Sequence, residues 1–158
     1  MVYLERTPNI SSTMLRSSSF NITKVGLVGT GRIAERFVAE ARYASGLIVT
    51  SAYNPDIESV NDFKKNCSEY EIDMYTDNYD EFLGKIDAIY IASTHETHYE
   101  YAKKALKKGK HVLCEKPLAF TRVESIELYD LAKEQGVVLM EAIKAAYCPG
   151  FQQLLNVV

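Results

Sequence analysis

From Lys24 onward the chain alternates short apolar runs with longer amphipathic ones, and this alternation limits the fold more than any other feature. The apolar runs are Val25 to Val28, Leu47 to Tyr53, Ala88 to Ala92, His111 to Cys114 and Val137 to Glu141, with a weaker one near Met74. Most are continuously apolar, a pattern that suits strands covered on both faces of a parallel sheet better than half-exposed antiparallel ones. The segments between them are helix candidates of about 9 to 15 residues, the spacing of repeated βαβ units. The expected class is therefore α/β, a doubly wound parallel sheet of about six strands. No long internal repeat accompanies it.

The clearest helix is expected over Thr97 to Lys108, with Tyr101, Ala102, Ala105 and Leu106 inward and Lys103, Lys104, Lys107 and Lys108 outward. Gly109 supplies a left-handed stop. The lysines read as a solvated face favoured by the helix dipole rather than as a phosphate patch. Between Thr121 and Gln135, Val123, Ile126, Leu128, Leu131 and Ala132 form a second inward stripe, and Gly136 ends it.

Length and composition narrow the class of partner. At 158 residues the chain fits one domain of roughly 100 to 200 residues. Hydrophobic residues are 47% and charged residues 25%, ordinary proportions for a chain that folds in water. Eighteen Lys and Arg against 21 Asp and Glu give a net charge of −3, which argues against nucleic acid or an anionic bilayer and for a small-molecule partner. Cys67, Cys114 and Cys148 are odd in number, widely spaced and without a C-x-x-C pair, which fits a reduced cytoplasm. No apolar stretch approaches the roughly 18 residues of a membrane span, and the N-terminus lacks a signal-peptide order.

Both ends look cut. Residues 1–23 are rich in Ser, Thr and Asn, lack any sustained period, and read as a tail or linker. Residues 24–150 form the expected domain. In residues 151–158, Phe151, Leu154, Leu155 and Val158 fall at helical spacing without a cap, the start of a helix leading to a missing C-terminal domain. Oligomeric state stays open, with this stripe able to pair two copies.

The first strand runs directly into Gly29-Thr30-Gly31-Arg32-Ile33-Ala34, a G-x-G-x-x-A turn that opens a helix. Gly29 takes the tight turn, Gly31 leaves the amides open to a pyrophosphate, and Ala34 keeps the helix close to the strand. Thr30, Arg32 and Ile33 complete the candidate phosphate loop, where negative charge would meet unsatisfied N–H groups and the positive end of the helix dipole. The competing reading is a tight turn that needs glycine only for geometry. Asn54, 20 residues after Ala34, is the candidate ribose ligand; Asp56 sits later and can instead begin the next helix. Pro55 stands where an arginine would favour a 2′-phosphate, so of NAD and NADP the sequence favours NAD.

The stretch from Ala88 to Glu100, including Ala92-Ser93-Thr94-His95-Glu96-Thr97-His98, and the stretch from Gly109 to Ala119, with Glu115-Lys116-Pro117, complete a pattern with the glycine turn. From about Lys24 to Gly150 this pattern resembles the Gfo/Idh/MocA family of glucose-fructose oxidoreductase and inositol dehydrogenase relatives, whose N-terminal domain is an NAD(P)-binding Rossmann fold. The resemblance implies that Lys116 is catalytic, beside the nicotinamide and the substrate hydroxyl, and that Ala92, Ser93, Thr94, His98 and Glu115 border the cofactor. It also implies a polyol, sugar or sugar-derivative substrate, and a cis bond before Pro117. The chemistry is consistent: a hydride leaves a secondary alcohol as its proton departs, and a lysine beside a cationic nicotinamide can take that proton.

There are departures. Thr94-His95 replaces the family's usual Pro-Asn, and His98 keeps its histidine, expected at a helix start lining the cleft. His95-Glu96-Thr97-His98 is one residue short of H-E-x-x-H, so no metal is expected. The family's second, substrate-binding domain and its D-x-x-x-H pair are absent from the chain, which implies inactivity alone; Lys144 is a candidate cleft residue. Separately, Arg6 to Leu15 resembles the R-T-x-G-I-S-T-T segment that ends glycerol-3-phosphate cytidylyltransferases, with Asn9 and Ser12 as departures and no H-x-G-H motif. Two other readings follow: a fragment of a bifunctional cytidylyltransferase and oxidoreductase, or a nucleotide-binding sensor without chemistry.

Overall fold

A computed structural model describes residues 22–157. The segment 6–15, with its cytidylyltransferase resemblance, and Val158 lie outside the described residues. Six parallel strands run in the order β3-β2-β1-β4-β5-β6. They are β1 (Thr23–Val28), β2 (Leu47–Tyr53), β3 (Met74–Thr76), β4 (Ala88–Ile91), β5 (His111–Cys114) and β6 (Leu139–Glu141). The connecting helices are α1 (Arg32–Ala41), α2 (Ile57–Asn66), α3 (Tyr79–Leu83), α4 (His98–Lys107) and α5 (Arg122–Gln135), and α6 (Pro149–Leu155) follows β6. The chain reverses its direction of winding between β1 and β4, and ligands of open parallel sheets bind at such a switch point.

Two apolar layers sandwich the sheet. On one face α3, α4 and α5 cover Val28, Ile89, Ile91, Val112 and Cys114, with Phe82 and Leu106 at the centre. On the other, α1 and α2 cover Leu27 and Ala52 with Ala34, Val38 and Phe63. Gly26 lies in β1 because a Cβ there would stand 2.5 Å from the Phe82 ring. Burial pushes the Cys67 thiol up to about 11 and the Cys114 thiol up to about 12, so both behave as apolar side chains. All three cysteines are free.

The helix ends follow from local chemistry. Asp56 accepts the Glu58 amide to start α2, Asn78 accepts the Glu81 amide to start α3, and Thr121 forms a capping box with Glu124 at α5. Gly109 and Gly136 stop α4 and α5 in the left-handed conformation, at φ 68° and 66°.

Several expectations need correction. The helix expected from Thr97 begins as a 3-10 turn over His95–Thr97 and becomes α-helical at His98. The last strand is shorter than Val137 to Glu141 because the His111 Nδ1 accepts the Val138 amide at 3.0 Å, which takes that group from the ladder. On α5, Val123 and Ile126 point outward at 75% and 47% exposure. That helix touches the molecule through Leu128 and Ala132, and no further helix covers its outer flank among the described residues. Lys103 is also not simply solvated: its ammonium reaches the Glu127 carboxylate on α5 at 2.6 Å. Phe151, Leu154 and Leu155 are exposed on α6, as the uncapped stripe implied.

Candidate cofactor site

The loops that leave the carboxyl ends of β1, β2 and β4 enclose a cleft of about 420 Å³. Gly29, Thr30 and Gly31 form one wall, Asn54, Pro55 and Ser59 a second, and Ala92, Ser93 and Thr94 a third. Hydrogen bonds beyond the strand ends fix these loops to the sheet: Gly29 N–H donates to Tyr53 O at 2.9 Å and Ala92 N–H to Val28 O at 2.8 Å. A larger hollow of about 520 Å³ lies at the amino ends of the strands, away from every candidate residue.

The two glycines of the turn have different reasons to be glycine. Gly29 has φ +98°, and a Cβ would lie 2.5 Å from the Ala92 carbonyl oxygen, so the fold itself demands glycine. Gly29→Ala is expected to cost about 2–3 kcal/mol, from left-handed strain plus the clash with backbone. Thermal unfolding of the two proteins checks this, and an unchanged midpoint would contradict it. Gly31 has φ −88° and a Cβ there would meet nothing within 4 Å. Protein packing leaves that space open.

The same corner holds unsatisfied donors. The first main-chain bond of α1 runs from Glu35 N–H to Gly31 O at 3.1 Å, so the amides of Arg32, Ile33 and Ala34 precede it, and no side chain caps the helix. Open volume above Gly31, free amides and a helix dipole fit a diphosphate. Thr30 joins the walls: the Asn54 Nδ2 donates to its Oγ1 at 2.8 Å, and that oxygen shares a 2.6 Å hydrogen bond with the Ser59 hydroxyl. Asn54 Oδ1 accepts the Asp56 amide at 2.9 Å, while the Asp56 carboxylate caps α2. Asp56 thus begins the following helix, the simpler of the two roles open to it.

The second part of the site is the corner after β5. Glu115 N–H donates to Ile91 O at 2.8 Å, which extends the β4–β5 ladder to the corner, and the Lys116–Pro117 bond is cis. The Lys116 side chain is exposed, with no hydrogen bond or ion pair to the described residues. His98 differs from expectation. Its ring is 0% exposed and does not line the cleft, because Nδ1 lies 2.8 Å from Pro117 O and Nε2 lies 3.2 Å from Ser93 O. The histidine straps the loop after β4 to the corner after β5. Glu141 secures the far side, its Oε1 accepting the Leu118 amide at 2.9 Å.

Gly29, Thr30, Gly31, Asn54, Ala92, Ser93 and Thr94 therefore come together in one cleft, with Arg32 and Ile33 at the helix start beside it. His98, Glu115 and Lys116 belong to the adjoining corner. Lys144 lies on a 3-10 turn, exposed, and adds to the Arg36 guanidinium in holding the Glu40 carboxyl below its usual range. Ser59, Thr97 and Tyr101 line the cleft without having been singled out from sequence; Tyr101 reads as a core position, and only the fold turns its edge to the cleft. Among the described residues no group of side chains could hold a metal ion, and no helix is long and apolar enough to cross a membrane.

Residues 23–143 match a family model described as the oxidoreductase family with an NAD-binding Rossmann fold, Gfo/Idh/MocA. Scyllo-inositol 2-dehydrogenase (NADP(+)) of Bacillus subtilis is 35% identical over 83% of this chain and 40% of its own length. For 1,5-anhydro-D-fructose reductase of Ensifer adhaerens the values are 37%, 72% and 34%. A 3-ketoreductase from Actinomadura kijaniata, solved with NADP, superposes with a TM-score of 0.77 at 27% identity, covering 87% of this chain and 44% of that one. The chain thus spans well under half the length of these relatives. The turn, the switch-point cleft and the matched residues carry one assignment: the chain belongs to the Gfo/Idh/MocA oxidoreductase family, as its NAD-binding Rossmann domain.

Proposed function

We propose that this chain is the cofactor-binding part of an enzyme that transfers hydride between a nicotinamide dinucleotide and a hydroxyl of a polyol, sugar or sugar derivative. The observation that carries the reading is the open space over Gly31 beside uncapped amides of α1. The named relatives, an inositol dehydrogenase, an anhydrofructose reductase and a 3-ketoreductase, support the substrate class.

The residues then divide the work. Amides of Arg32 and Ile33 hold the diphosphate, Gly31 lets it approach, and the Thr30–Asn54–Ser59 cluster fixes the adjoining wall. Ser93 and Thr94 border the opposite wall. His98 acts by holding the loop after β4 against the Lys116 corner. A bound nicotinamide supplies the site that accepts or gives hydride. Lys116 Nζ moves the proton at the substrate oxygen, so that charge does not accumulate there. Alone, the chain binds cofactor without turnover. Its free thiols fit a reducing cytoplasm.

NAD is preferred over NADP in this reading. Asn54 spends its side-chain amide on Thr30 and on the Asp56 main chain, the Asp56 carboxylate follows at the start of α2, where it would repel a 2′-phosphate, and no arginine stands in this turn. Fluorescence titration of the chain with NADH and NADPH tests both statements. Binding of both is expected, tighter for NADH. No binding of either at millimolar concentration would overturn the reading, and tighter NADPH would overturn the preference alone.

A further inference from the structure

Glu115 and Lys116 put a carboxylate and an ammonium on neighbouring residues, yet no ion pair joins them among the described residues. The carboxylate is held elsewhere. The Tyr90 hydroxyl donates to Glu115 Oε1 at 2.7 Å, and the Lys116 main-chain amide donates to Oε2 at 3.3 Å. Tyr90 lies on β4 at 5% exposure, its ring stacked on Phe37 of α1 with centroids 4.0 Å apart and planes 19° apart. That stack aims the phenol at the corner after β5. Burial first, and then the Glu115 carboxylate, push the phenol well above the usual tyrosine range, so it remains a donor. Neighbouring carboxylates are already occupied: Glu40 by Arg36 at 2.7 Å and Glu141 by the Leu118 amide at 2.9 Å. No other side chain takes the place of Tyr90 at Glu115 among the described residues.

We propose that Tyr90 is a positioning residue: it draws the Glu115 carboxylate inward and so keeps the adjacent Lys116 ammonium unpaired. An ammonium that no carboxylate engages keeps its Nζ free to meet a substrate oxygen, which is what the proposed role of Lys116 demands. The inference rests on that role for its purpose, whereas its test needs neither cofactor nor turnover.

The chain is labelled with trinitrobenzenesulfonate at one mildly alkaline pH, and the Lys116 adduct is followed by peptide mass spectrometry against Lys103, Lys104 and Lys110. In Y90F the ring and its stack on Phe37 remain, but Glu115 is released to pair with Lys116. Lys116 labelling is expected to slow about two- to fivefold relative to the other lysines, the range of a surface ion pair. The E115Q change made in Y90F should restore the original rate, and E115Q alone should leave it unchanged. A merely structural role for Tyr90 would not single out Lys116. Equal or faster Lys116 labelling in Y90F overturns the proposal. Should Y90F not fold, E115Q decides: unchanged labelling supports it, and faster labelling overturns it by showing that Glu115 already pairs with the lysine.

Discussion

Gly31→Val is expected to lower the affinity for NADH by a hundredfold or more while leaving the fold almost intact. The separation arises because the new side chain enters space that the protein leaves empty. Its backbone, at φ −88° and ψ −177°, is extended, a region valine favours. Loss of glycine at the helix N-cap costs about 1 kcal/mol, or a few degrees of midpoint. The branched carbons would instead occupy the approach to the Arg32 and Ile33 amides. Two charge-assisted hydrogen bonds lost at about 1.5–3 kcal/mol each correspond to more than about a hundredfold in affinity. The contrast with Gly29→Ala, which strains the fold itself, makes the pair diagnostic. Calorimetric titration with NADH beside a thermal melt reads both quantities. Affinity within twofold of the parent would remove the diphosphate from this corner.

The second large effect concerns Lys116. In the full-length protein, Lys116→Ala is expected to reduce kcat by about 10²–10⁴-fold, the usual contribution of a positioned proton-transfer group. Cofactor affinity should change by only a few-fold, since the diphosphate contacts proposed above lie on the β1 turn. Lys116→Arg should fail nearly as completely, because a guanidinium keeps its proton. Stopped-flow turnover beside NADH titration distinguishes the outcomes. Full turnover in Lys116→Ala would take this residue out of the mechanism and favour a domain that reads the nucleotide without chemistry.

The sequence carried the architecture clearly, because alternating apolar and amphipathic segments encode a parallel sheet through local periodicity alone. All six strands lie where those runs place them, with the first and last differing at their amino ends and the fourth ending at Ile91, one residue before the expected Ala92. The glycine turn was legible for the same reason: strand, turn and helix are contiguous. The E-K-P corner was legible through family resemblance. What escaped depends on distant partners. His98 reads as a cleft residue at a helix start, but Pro117 O and Ser93 O enclose it, and Pro117 lies 19 positions further on, with no sign of that meeting in the sequence between. The Tyr90–Glu115 bond spans two strands. Val123 and Ile126 have the spacing of a buried stripe, whereas burial depends on whether another element covers that flank.

One consequence of the strand order concerns modularity. Only β4 separates β1 from β5, so the glycine turn and the Lys116 corner are two strand spacings apart, roughly 10 Å. Ladder bonds that run past the strand ends set this interval, with Ala92 joined to Val28 and Glu115 to Ile91. Loop sequence does not adjust it. The interval between the two loops is thus a dimension of the sheet itself, so substitutions confined to either loop change what the loop presents and leave its distance from the other untouched.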